Sequence, residues 1–125
     1  MRYLLDTHII LWWFSNPELI NLQARAIIKD KSNIIFISAA SCWEMAIKSS
    51  IGRLNLPQQL LTLMTQENFQ LLPILPEETL AISDLPLIHS DPFDRLLIMQ
   101  AKLHDLVLLT RDEQIKKYPL VWLDA

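Results

Sequence analysis

Four acidic residues far apart in the chain, Asp6, Glu44, Asp94 and Asp112, are the side chains whose type and placement could do chemistry. Carboxylates gathered at one place repel one another unless a cation lies among them. An all-oxygen set without cysteine suits a hard divalent ion, Mg²⁺ or Mn²⁺. Such an ion lowers the pKa of a bound water and stabilises charge on a phosphodiester during in-line attack. Asp94 stands out because of its surroundings, His89-Ser-Asp91-Pro92-Phe93-Asp94-Arg95. Asp91 before Pro92 predicts a helix start, with Asp91 as N-cap and Pro92 at the first helical position. Asp94 then falls in the first turn, where the helix dipole favours negative charge. The residues that follow (Leu96, Leu97, Ile98, Met99, Ala101, Leu103) are apolar nearly all round, which predicts a helix buried between layers with an exposed acid at its entrance. Asp91-x-x-Asp94 also fits a simple capping box.

The elements that would hold these acids alternate between strand and helix. Arg2–Leu5 is a short apolar run ended by Asp6, and Thr7–Phe14 turns helical until Asn16-Pro17 breaks it. Residues Pro17 to Lys31 read as one amphipathic helix, and Asn33–Ile37 as a second buried strand. Ser38 opens a helix to about Ser50, with Gly52, the only glycine, just past its end. Pro57 is expected to start another helix, Phe69–Ile74 to form a strand near an edge, and Glu77–Ser83 a short helix. Leu106–Thr110 is a fourth strand, a short helix starts near Glu113, and Leu120–Leu123 is a last strand. Buried strands alternating with helices, without hairpin signals, predict a single three-layer α/β/α domain with a central parallel sheet of four to five strands.

Open parallel sheets bind ligands at the carboxyl ends of their strands. Asp6 ends strand one, Asp112 lies two residues beyond strand four, and Asp94 opens a helix whose N-terminus faces the same edge. Glu44 lies within two turns of the start of its helix, beside an apolar stripe of Ala39, Trp43, Ala46 and Ile47 expected to face the core. Each acid has a plainer explanation. Asp6 could be a turn residue, Glu44 could pair with Lys48 or close a capping box with Ser41, and Asp112 could N-cap the last helix beside Thr110. Those explanations leave four acids on one edge as coincidence.

The 125 residues suffice for one domain with a real core, and 51% hydrophobic content excludes extended disorder. Net charge is −3, yet setting aside the four acids leaves ten against eleven bases, so composition neither favours nor excludes nucleic acid. The single cysteine, Cys42, makes no internal disulfide and fits a reducing compartment. Asp6 and His8 interrupt any signal-like run, and no apolar stretch reaches the ~18 residues needed to span a bilayer. A soluble, cytoplasmic protein is expected. His8, His89 and His104 lack zinc-type spacing and read as surface or internally satisfied histidines.

Several stretches resemble the PIN-domain ribonucleases, most closely the VapC-like toxins of bacterial type II toxin–antitoxin modules. They are Leu4-Leu5-Asp6-Thr7-His8, Ser41-Cys42-Trp43-Glu44-Met45-Ala46-Ile47-Lys48 with Gly52-Arg53-Leu54 and Pro57, His89-x-Asp91-Pro92-Phe93-Asp94-Arg95, and Leu109-Thr110-Arg111-Asp112. The likeness covers nearly the whole chain. It implies metal ligation by Asp6, Glu44, Asp94 and Asp112, and Mg²⁺- or Mn²⁺-dependent cleavage of single-stranded or looped RNA. It also implies growth inhibition through translation, neutralisation by a cognate antitoxin, and a homodimer. On the same resemblance, Asp91 is an accessory acid or helix cap, and Thr7, Ser38 and Thr110 hold waters or carboxylates of the site.

By residue type, Lys48, Arg53, Arg95 and Arg111 are candidates for phosphate contact. Trp12 and Trp13 cannot both point inward from a short helix. One is assigned to the core and the other to a dimer or antitoxin contact, with base stacking as the alternative. A receiver-like signalling domain would place paired acids after strand one, but Asp6 stands alone and Glu44 is mid-helix. A catalytically idle PIN-like RNA- or protein-binding module, a metal-dependent phosphatase and a DNA nuclease use similar residues and remain rivals.

Overall fold

The computed structural model describes residues 1–125. Five parallel strands form the central sheet: β1 (Arg2–Leu5), β2 (Ile34–Ser38), β3 (Gln70–Leu72), β4 (Val107–Thr110) and β5 (Trp122–Asp124). Their spatial order is β3-β2-β1-β4-β5, with Leu5 level with Leu109 and Leu4 level with both Phe36 and Leu108. The helices are α1 (Thr7–Ser15), α2 (Leu22–Lys29), α3 (Ala39–Ser50), α4 (Leu60–Gln66), α5 (Pro76–Ala81) and α6 (Pro92–Leu103). None is long and apolar enough to cross a membrane.

Alternation along the strands divides the core between the two faces. Tyr3, Leu5, Ile35, Ile37 and Leu109 pack on one side with residues of α1, α2 and α4. Leu4 and Leu108 pack on the other with Leu96, Leu97, Ile98, Met99 and Ala101 of α6. This is the three-layer sandwich the apolar runs predict. α6 is buried from Asp94 to Ala101.

Three expected boundaries shift. The helix expected from Pro17 to Lys31 is a 3-10 turn, Pro17–Leu19, followed by α2. Ile20 is extended and buried between them, and the Asn21 side chain caps α2 through the Ala24 amide at 2.8 Å. Pro57 does not begin α4, because Gln59 adopts a left-handed conformation and Leu54 and Leu56 pack on the core from a non-helical segment. After β4 the expected helix is only a 3-10 turn, Ile115–Lys117. Gly52 has φ +76 just past α3, where its lack of Cβ makes that turn inexpensive.

The α3 stripe is the largest correction. Trp43, Ile47 and Ile51 are 59%, 39% and 61% exposed, and Ala39 and Ala46 are also at the surface. The buried face is Ala40, Ser41, Glu44 and Met45. Apolar periodicity locates a sticky face on a helix, but not which neighbour covers it. Here α1 and α6 pack against the polar side of α3.

Candidate active site

The chain runs β1, β2, β3 toward one edge of the sheet and then returns to place β4 on the far side of β1. The crevice between β1 and β4 is therefore the topological switch point, the usual ligand site of such sheets. Asp6 follows β1 there, and its amide donates to the Leu109 carbonyl at 3.0 Å. The Thr110 hydroxyl donates to Asp6 Oδ2 at 2.8 Å and accepts the Asp112 amide at 3.0 Å. One threonine thus ties two acids from opposite ends of the sequence.

α6 supplies Asp94. Asp91 caps the helix, its Oδ1 accepting the amides of Phe93 at 2.9 Å and Asp94 at 3.0 Å. Asp94 is not the exposed acid its position suggests; it is only 9% exposed. Burial raises its pKa to about 7; the His89 hydrogen bond lowers it, while the charges of Asp91, Asp6 and Asp112 raise it. Burial likewise raises Asp6, with Thr110 and His8 opposing and Asp112 adding to the rise. Asp6, Asp94 and Asp112 therefore lie within one another's electrostatic reach.

Glu44 comes from the buried face of α3. Its Oε2 accepts Lys48 Nζ at 2.8 Å, whereas Oε1 is buried and has no partner. Its chain neighbour Trp43 packs edge-on against Phe93, the neighbour of Asp94, with ring centroids 5.0 Å apart. The Thr7 hydroxyl donates to Ser41 at 2.9 Å, linking the start of α1 to α3.

These acids suit a hard cation in donor chemistry and in unused oxygens. In Glu44, Asp94 and Asp112, one oxygen takes the protein's hydrogen bonds and the other takes none. An orphaned buried carboxylate oxygen is costly unless a cation or water meets it. The groups do not form a ready-made cage, since no three His, Cys, Asp or Glu side chains are clustered around one point. Asp6, Asp112, His8, Trp12 and Arg111 line a small recess of about 220 Å³. The largest cavity, about 550 Å³, lies at the opposite edge, beside Leu106 and Val121 at the strand starts, and contains none of the four acids.

Other side chains differ from their expected roles. Arg95 is buried and does not face a substrate; its guanidinium donates to the carbonyls of Pro86 at 2.9 Å and Ile82 at 3.3 Å and to the Tyr118 hydroxyl at 3.0 Å. Phosphate contact by Arg95 is therefore ruled out by its geometry. Ser38 holds no carboxylate of the site. It caps α3 through the Ala40 amide and donates to Gln100 at 2.5 Å, because its side chain is directed toward α6. Gln100 in turn reaches the buried Glu78, an acid outside the cluster. Arg111 donates to the Ala125 carbonyl through Nε and Nη2, and Nη2 also reaches the Leu19 carbonyl. Its guanidinium lies 4.8 Å from the Trp12 ring centroid. Arg53 is exposed. Trp12 and Trp13 are both half-buried against the core, so neither is wholly inside, and the most exposed indole is Trp43.

Sequence reasoning missed His89. Its Nε2 lies 3.0 Å from Asp94 Oδ2 and its Nδ1 lies 2.8 Å from the Tyr118 hydroxyl. The five-residue spacing to Asp94 was a signal for the first contact, but nothing local announced Tyr118.

A sequence model of the PIN domain matches residues 3–120. The chain belongs to the PIN-domain family. Among curated relatives, ribonuclease VapC22 of Mycobacterium tuberculosis is 27% identical over 118 residues, covering 92% of this chain and 90% of that protein. The fold is shared with VapBC of Salmonella typhimurium, solved bound to DNA (TM-score 0.73, 15% identity, 99% of this chain and 98% of that one). It is also shared with VapBC2 of Rickettsia felis, solved with a promoter DNA fragment (TM-score 0.70, 19% identity, 99% and 98%). VapBC-1 of nontypeable Haemophilus influenzae gives a TM-score of 0.64 at 21% identity, covering 99% and 98%. The PIN match accounts for the five-stranded parallel sheet.

Proposed function

We propose that this PIN-domain protein is a divalent-metal-dependent endoribonuclease and the toxin half of a toxin–antitoxin pair. The observation that carries the proposal is the mutual electrostatic reach of Asp6, Asp94 and Asp112 at the switch point, beside which we set the buried, partnerless Oε1 of Glu44 on α3. Asp6, Glu44, Asp94 and Asp112 would hold Mg²⁺ or Mn²⁺, which supplies an acidified water and neutralises charge on the phosphodiester. Thr110 fixes Asp6, and the Asp91 cap fixes the turn carrying Asp94. Lys48 holds one oxygen of Glu44 and leaves the other buried without a partner. Lys48, Arg53 and the outer nitrogen of Arg111 are the bases we assign to the RNA backbone.

Two partners follow. The antitoxin is supported by relatives whose solved structures are VapBC complexes. A second copy of the chain is assigned to the uncharged row Trp43, Ile47 and Ile51, which repeats at four-residue spacing and can pack against its own twofold image.

The test is cleavage of single-stranded RNA by purified protein. Mg²⁺ or Mn²⁺ should support cutting, EDTA should stop it, and Asp94→Asn should abolish it while the circular dichroism spectrum is retained. RNA bound but uncut by the unmutated protein would favour an idle binding module. Growth arrest on expression, relieved by the neighbouring reading frame, would separate a toxin from a housekeeping nuclease.

A further inference from the structure

We infer that His89, set by Tyr118, is a positioning residue that turns the Asp94 carboxylate so that Oδ1 faces the metal site. The inference rests on the metal-dependent reading of the acids. His89 Nε2 lies 3.0 Å from Asp94 Oδ2, and Oδ1 accepts no hydrogen bond. Tyr118 sets the direction of the contact from behind when its proton goes to the ring. Tyr118 oxygen accepts Nη1 of Arg95 at 3.0 Å and the His89 amide at 3.2 Å, so its own proton is available to donate. Its nearest acceptor is His89 Nδ1 at 2.8 Å, with the His89 carbonyl at 3.2 Å. In neutral His89, accepting at Nδ1 places the ring proton on Nε2, facing Asp94. In the doubly protonated ring Tyr118 donates to the carbonyl, and Nε2 still carries its proton. The Nε2 contact to Asp94 is kept in either charge state.

The scaffold is short-range apart from one residue. Asp91 caps the helix that bears Asp94, and Arg95, one residue on, clamps the Ile82 and Pro86 carbonyls of the segment leading to His89. The block from His89 to Arg95 therefore builds its own support. Tyr118 joins from beyond β4, is 3% exposed, and packs edge-on against the His89 ring at 5.4 Å. Groups that orient a ligating side chain commonly matter about 10- to 100-fold in metal affinity or activity.

Two amide substitutions separate positioning from packing. Asparagine places its amide near the ring's Nδ1, keeping the Tyr118 contact and losing Asp94. Glutamine reaches the Nε2 position and keeps Asp94. Mn²⁺ binding should be measured by calorimetry and by electron paramagnetic resonance, with RNA cleavage alongside. His89→Asn should weaken Mn²⁺ binding by about 10- to 100-fold and lower kcat with little change in KM for RNA. His89→Gln should stay within about threefold of the parent in Mn²⁺ affinity, on the same scale. In the metal-free parent, ¹⁵N spectra of His89 should show a protonated Nε2, and Tyr118→Phe should disturb that signal. Equal Mn²⁺ affinity in the parent and His89→Asn, or an unprotonated Nε2 in the parent, would overturn the inference. If His89→Asn does not fold, the parent spectrum and the glutamine and Tyr118→Phe variants still decide it. A parent that neither binds Mn²⁺ nor cuts RNA would instead sink the proposed function.

Discussion

Replacing Asp94 with asparagine should stabilise the metal-free protein at neutral and alkaline pH. The carboxyl has a pKa of about 7 in the folded chain against an ordinary value of 3.8. Below about pH 4 the group is neutral in both states and contributes no charge penalty. Between about pH 4 and about pH 7 the unfolded chain ionises while the folded group keeps its proton, so stability falls as pH rises. At about 1.4 kcal/mol per pH unit, the accumulated penalty approaches about 4 kcal/mol above pH 7. The side chain is 13% exposed, so water at that edge screens part of it. A gain of about 2 to 4 kcal/mol at pH 8 is expected for Asp94→Asn, whose amide oxygen can still accept from His89. Urea unfolding in EDTA at a series of pH values measures it. The gain should shrink toward zero near pH 4, and saturating Mn²⁺ should reverse the order by stabilising the parent alone. An asparagine variant no more stable than the parent at pH 8, or a gain independent of pH, would refute the electrostatic reasoning.

Other substitutions follow from the same geometry. Arg95→Leu should destabilise the fold by about 2 to 4 kcal/mol in urea unfolding, because it removes the guanidinium hydrogen bonds to the Pro86 and Ile82 carbonyls and the Tyr118 hydroxyl. Mg²⁺ at about 100 times its Kd should stabilise the parent by about 2.7 kcal/mol in thermal or urea unfolding and leave an Asp6→Asn/Asp94→Asn double variant unmoved. Arg53→Ala should reduce the slope of log affinity for RNA against log salt by about one, whereas Arg95→Gln should leave it unchanged. Ile47→Glu should shift the protein toward a monomer in light scattering; an unchanged mass would remove the α3 row as the self-association surface.

The strands and the helix after Pro92 were legible because their signals are local. β1 is an apolar run stopped by Asp6, and α6 carries its cap, its proline and its first-turn acid within four residues. Parallel topology then constrained Asp6, Asp94 and Asp112 to the edge where the structure has them. What depended on tertiary neighbours was not legible. The stripe from Ala39 through Ile47 has the pattern of a core face, but α1 and α6 approach α3 from its Ser41–Glu44 side. Arg95 looks like a phosphate-binding base until the 82–89 segment folds over it. Ser38 faces Gln100, 62 residues away, and His89 faces Tyr118, 29 residues away; neither partner leaves a mark in local spacing.

In the proposed function these carboxylates hold the ion that supports RNA hydrolysis. Anomalous scattering from Mn²⁺-soaked crystals tests it most directly. Density is expected in the β1/β4 crevice within ligating distance of Asp6 and Asp94, and none there in crystals of Asp94→Asn. Strong Mn²⁺ density elsewhere with an empty crevice, in crystals of protein that cuts RNA, would contradict it.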